Sequence, residues 1–99
     1  MLVTISGLVG RAPQSLPDTA DGTPVVEAAL AVRTSDGKDW FALQFAGTAL
    51  IEAVRPLRKG DTIAVTGELS FEPLPDGVAA SKPVVAVSDL QLCDVPIAC

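Results

Sequence analysis

Glycine and proline, eight of each in 99 residues, cut this chain into runs too short for long helices. What lies between the breaks alternates in polarity. "MLVTISGLV" (1–9) reads as a first strand closed by Gly10 and Pro13. A turn-rich connection at 14–24 follows it, carrying Pro17, Gly22 and Pro24. In "VVEAALAVRT" (25–34), Val26, Ala28, Leu30 and Val32 share one face. Ser35-Asp36-Gly37 is a compact turn before "KDWFALQFA" (38–46), so the second and third strands are expected to form a hairpin.

The period changes in "TALIEAVRPL" (48–57), where Leu50, Ile51 and Val54 recur at helical spacing and Thr48 is placed to cap the first turn. Pro56 disfavours helical geometry at Arg55, which limits this helix to about two turns. Alternation resumes in "DTIAVTGELSFE" (61–72). Ile63, Val65, Leu69 and Phe71 share a face expected to be core. Gly67 falls in that row, where a strand bends or another backbone comes close. A loop built around Pro75-Asp76-Gly77 (73–82) is expected to be mobile, and "PVVAVSDLQL" (83–92) is the last strand. Five strands with one short helix between the third and fourth predict an all-β fold, a five-stranded Greek-key OB-fold barrel over residues 1–92. A short tail, 93–99, follows.

At 48% hydrophobic and 19% charged, the composition is that of one globular domain. A chain of this length buries roughly 65% of its unfolded surface, enough for a core without staples. No apolar run approaches the roughly 18 residues of a membrane span, and the alternating start lacks a basic leader. A cytoplasmic protein without membrane contact is expected. Cys93 and Cys99 are the only cysteines and histidine is absent, so no zinc site or other cofactor is expected and the thiols read as unpaired. With no histidine, no tyrosine and no phosphate-cradling glycine motif, catalysis is not expected.

The stretch "DWFALQFAG" (39–47) poses the sharpest question. Phe41, Leu43 and Phe45 claim one face of the strand, which leaves Trp40, the single tryptophan, on the other with Ala42, Gln44 and Ala46. An indole there can fill a core, bury in a subunit interface, or serve as a stacking platform. Net charge of −5 is awkward for a nucleic-acid binder, so the placement of the seven basic residues matters more than their total. Arg11 follows the first strand, Arg33 and Lys38 flank the 35–37 turn, and Lys82 precedes the last strand. These four are candidates to line one groove with Trp40. Arg55, Arg58 and Lys59 suit a helix C-terminus and read as structural.

The chain resembles the bacterial single-stranded-DNA-binding protein family. "VTISGLVGRAPQ" has that family's first strand with Gly7, Gly10 and Pro13 at the usual spacing, and "GTPVVEAALAV" looks like its second. "DWFALQFAGTALIEAVRPLRKGDTIAVTGEL" is the most specific piece: it keeps the tryptophan, Gly47, the helix length, "LRKG" at 57–60 and Gly67-x-Leu69 without a gap. "VVAVSDLQL" resembles the closing strand. The resemblance implies that Trp40 stacks on bases while Arg11, Arg33, Lys38 and Lys82 meet phosphates, giving sequence-independent binding of single-stranded DNA in replication, recombination or repair. It also implies a homodimer or homotetramer, with a replication or recombination protein as a further partner. Apolar residues on both faces of 25–33 and 38–46 point the same way.

The chain departs from the family's pattern in several places. Ala46 and Leu74 stand where aromatic platforms are usual, a substitute platform is the alternative to the core reading of Phe71, and Glu68 and Glu72 replace basic residues. Glu27 adds a negative charge to the outer face, and "DVPI" (94–97) lies in a tail without the family's long spacer. The alternative is an OB-fold interaction protein similar to primosomal replication protein B, acting mainly through protein–protein contacts.

Overall fold

A computed structural model describes residues 1–73 and 81–92. The centre of the expected mobile loop, with Leu74, lies outside the described residues. So do the 93–99 tail, Cys93, Cys99 and the 94–97 segment. The elements are β1 (Leu2–Leu16), β2 (Val25–Thr34), β3 (Gly37–Ala46), α1 (Thr48–Val54), β4 (Thr62–Pro73) and β5 (Ser81–Leu92). They close into a barrel in the order β1-β2-β3-β5-β4, with β3 and β5 parallel and the other pairs antiparallel. This is the expected OB-fold, with α1 between the third and fourth strands.

Alternation fills the interior as the sequence suggests. Val26, Ala28 and Leu30 of β2 and Leu43 and Phe45 of β3 are buried, and meet Val9, Ile63, Val65 and Val85 from the other strands. Helix α1 closes one end with Val54, and Leu57 follows it into the core. The β2–β3 hairpin is regular from Val25↔Ala46 to Thr34↔Gly37, turning through Ser35 and Asp36. Gly67 is tightly placed, because a Cβ there would sit 2.2 Å from the Ala86 carbonyl oxygen, beside a register shift in the β4–β5 ladder.

Three local expectations are corrected. First, β1 does not end at Val9 but runs through Gly10 and Pro13 to Leu16. Its ladder to β2 shifts register between Val9 and Arg11 and again between Arg11 and Gln14. Gly10 and Pro13 therefore fall in bulges, where the missing proline N–H costs no ladder bond. Second, Thr48 does not cap α1. Gly47 takes that position with φ 94°, and no side chain caps the helix. The glycine turns the chain sharply out of β3, placing Thr48 already inside the first turn.

Third, Phe71 is 61% exposed instead of buried. The last bond between β4 and the N-terminal strand region is Leu69 N–H to the Met1 carbonyl, at 2.8 Å. Beyond it, Ser70–Pro73 pairs with β5 alone, and this two-stranded arm has no barrel interior to face.

The connection between β1 and β2 has its own order. The Asp21 carboxylate accepts hydrogen bonds from the Thr19 hydroxyl and from the hydroxyl and N–H of Thr23. These bonds, that from Thr19 foremost, hold the exposed Asp21 below the ordinary carboxyl value.

Candidate functional site

The outer face of the β2–β3 hairpin carries Glu27, Ala29, Ala31 and Arg33 on one strand. Opposite them on β3 stand Gln44, Ala42, Trp40 and Lys38. The alanines make a floor of small side chains on which one large one can lie. Trp40 is 53% exposed, so it is not core. Its indole reaches past Ala31 to β1, where a Cβ on Gly10 would come 2.1 Å from Cζ3 and 2.5 Å from Cη2. The absent side chain of Gly10 is the seat for the ring. One edge is fixed against backbone while much of the indole stays open to solvent.

The sequence-predicted site residues divide around this ring. Arg11, Trp40 and Lys82 line one shallow groove together with Glu27, Ala29 and Ala42. Arg33 and Lys38 face each other directly across the hairpin. They line the adjoining depression with Ser6, Gly7, Leu8, Ala31 and Thr62. All five thus sit on one continuous outer surface, but in two compartments. No carboxylate lies within ion-pairing distance of Arg33 or Lys38 among the described residues.

The other two cations are engaged. Arg11 Nη2 lies 3.3 Å from Glu27 Oε1 and Lys82 Nζ lies 3.5 Å from the same oxygen. The Gln44 amide donates to Oε2 at 3.3 Å. The Glu27 side chain is only 12% exposed, held between its partners. Such a pairing is less screened than one at the open surface. Glu68 is occupied elsewhere, by the N-terminal amino group, and lines neither depression. Arg55 pairs with Glu52 at 3.0 Å, a local contact within the helical segment.

Sequence reasoning named the ring and the four cations as candidates but missed Gly10 as the seat of the indole and Glu27 as the hub of Arg11, Lys82 and Gln44. A signal for Gly10 existed, since it shares parity with the outward Ser6 and Leu8 and leaves a gap in that row. Glu27 became a hub only once β1 continued past Gly10 and Lys82 came over from β5. Among the described residues no three metal-ligating side chains converge, and no helix is long and apolar enough to cross a membrane.

No protein-family model matches the chain. It is 34% identical over 97 residues to Single-stranded DNA-binding protein 1 of Nostoc sp., covering 92% of this chain and 81% of that one. The same figures hold for the single-stranded DNA-binding protein of Anabaena variabilis. Single-stranded DNA-binding protein 1 of Synechocystis sp. is 34% identical over 103 residues, covering 93% and 84%. In fold, the chain is similar to the small single-stranded DNA-binding protein from Streptomyces coelicolor, with TM-score 0.74, 19% identity, and 95% and 93% of the two chains covered. A deletion mutant of the single-stranded DNA binding protein from Thermus aquaticus gives TM-score 0.71 at 25% identity, over 93% of this chain and 40% of that one.

Proposed function

The chain belongs to the single-stranded DNA-binding protein family, and on that premise we propose that it binds single-stranded DNA without sequence preference across the outer face of the β2–β3 hairpin. One observation carries this reading: an exposed Trp40, seated on Gly10, lies between two pairs of basic residues over a floor of alanines. An aromatic face stacks on any base, contributing about 1–3 kcal/mol per base. Arg33 and Lys38 offer phosphate contacts on one side of the ring, and Arg11 and Lys82 on the other. No bond is made or broken in such a role. It serves replication, recombination or repair in the cytoplasm.

Self-association is part of the proposal. Leu2 and Leu8 of β1 are exposed together with Trp40, and exposed apolar side chains of this size are candidates for burial between copies of the chain. A second copy of the chain, as a homodimer or homotetramer, covers part of it, and a replication or recombination protein is a further partner. Sedimentation as a 10.2 kDa monomer at micromolar concentration would overturn this part.

The test of binding uses the single tryptophan. Titration with oligo-dT is expected to quench its fluorescence, and an unchanged signal with no mobility shift of the oligonucleotide refutes the reading. Glu27 on Arg11 and Lys82 favours a second reading, an interaction module that meets DNA weakly. That module would show the tryptophan in a subunit contact. The Trp40→Ala variant would then lose its oligomer and keep whatever DNA binding it had.

A further inference from the structure

Two cations and an amide donor converge on a carboxylate in the groove beside Trp40, and that arrangement has a use beyond holding β1, β2, β3 and β5 together. We infer that Arg11, Lys82 and Gln44 form a phosphate seat whose occupant in the free protein is the protein's own Glu27. The inference rests on the reading of this face as a DNA surface.

The chemistry of the two anions is alike. A phosphodiester, like a carboxylate, carries one negative charge over two unsubstituted oxygens and accepts from guanidinium, ammonium and amide N–H groups. Glu27 uses both oxygens in this way: Oε1 takes Arg11 and Lys82, and Oε2 takes Gln44. The two cations keep a route to solvent, because the Arg11 and Lys82 side chains are far more exposed than the glutamate between them. A backbone phosphate running along the groove from Trp40 meets donors already aimed at an anion.

Exchange of one anion for another changes no net charge at the seat. In the wild type, Arg11 and Lys82 therefore add little to the salt dependence of binding, and Arg33 and Lys38, unpaired among the described residues, dominate it. Glu27 sets both the affinity of the groove and its response to salt. The acidic balance of the chain is thus expressed at one residue.

The experiment compares wild type, E27Q and E27D by quenching with oligo-dT between 50 and 200 mM salt, with urea unfolding as a control. Glutamine keeps the size and hydrogen-bonding capacity of the side chain, so the barrel is expected to stay folded. E27Q is expected to bind more tightly, with a log–log salt slope steeper by about 0.7, for the one phosphate neutralised without a carboxylate being displaced. Its advantage then shrinks about 2.6-fold from 50 to 200 mM salt. E27D retains the charge and keeps the wild-type slope. R11Q is expected to cost E27Q more than it costs the wild type, a non-additivity that loss of packing alone does not produce.

Wild-type affinity and slope in E27Q, with DNA binding intact, overturn the inference and leave the proposed function standing. Absence of binding in every variant overturns the proposed function, and this inference with it.

Discussion

The indole of Trp40 on β3 rests against the backbone of Gly10 on β1, two strands away, where a Cβ would approach ring carbons to 2.1 and 2.5 Å. Gly10 is not among the glycines with positive φ, so alanine suits its backbone and conflicts with the ring alone. G10A is therefore expected to fold, to displace the indole, and to weaken oligo-dT binding toward the level of W40A. A changed emission maximum with a near-normal urea midpoint is the signature. Unchanged emission and affinity would show that the ring does not depend on this seat.

Stacking and charge are expected to separate cleanly. W40A should lose about 1–3 kcal/mol of binding free energy at unchanged salt slope. K38A should lower the magnitude of the slope by about 0.7, because the Lys38 ammonium has no carboxylate to release among the described residues. The wild-type slope itself is expected near −1.4 if only Arg33 and Lys38 count, against roughly −2.8 for all four cations. Binding titrations at several salt concentrations decide between these values.

G67A is expected to destabilise the barrel by about 1–3 kcal/mol, as overpacking a close interior contact does. The obstacle is the Ala86 carbonyl at 2.2 Å from the added Cβ, a backbone atom that cannot rotate aside. Urea unfolding measures the loss. A midpoint within error of wild type would mean that the β4–β5 bulge absorbs the methyl group.

The hairpin was legible in the chain because two signals agree there: the alternation of 25–34 and 38–46 and the compact turn between them. The helix announced itself by its change of period and the proline behind it. Gly10 and Pro13 misled, since both residues terminate regular strands and both also belong in bulges, and only the pairing with β2 tells which. Phe71 misled for a related reason. Parity assigns a face to a residue, but not whether the barrel still lies behind that face. The Glu27 cluster joins four strands through side chains, so no single run of sequence contains it.

The contrast between Phe45 and Phe71 is directly measurable. Phe45 is fully buried, and its replacement by alanine is expected to cost about 3–5 kcal/mol. Phe71 stands on the exposed arm, and F71A should change stability by no more than about 0.5 kcal/mol. A loss at Phe71 comparable to that at Phe45 would show that the arm is covered in solution by another molecule.

Leu8 pairs with Ala31 of β2 on one side and with Thr62 of β4 on the other, so β1 is a seam shared by both halves of the barrel. The order of events during folding follows from that seam. The β2–β3 hairpin joins neighbours in sequence and forms early, whereas Leu2–Leu8 waits for Thr62–Glu68, beyond the hairpin and the helix. Closing so large a loop costs chain entropy before any contact repays it, which places such topologies in the millisecond-to-second range. On the ribosome, the apolar Leu2–Leu8 segment emerges before β4 and stays without that partner until β4 has been made, an interval in which chaperones and neighbouring nascent chains compete for it.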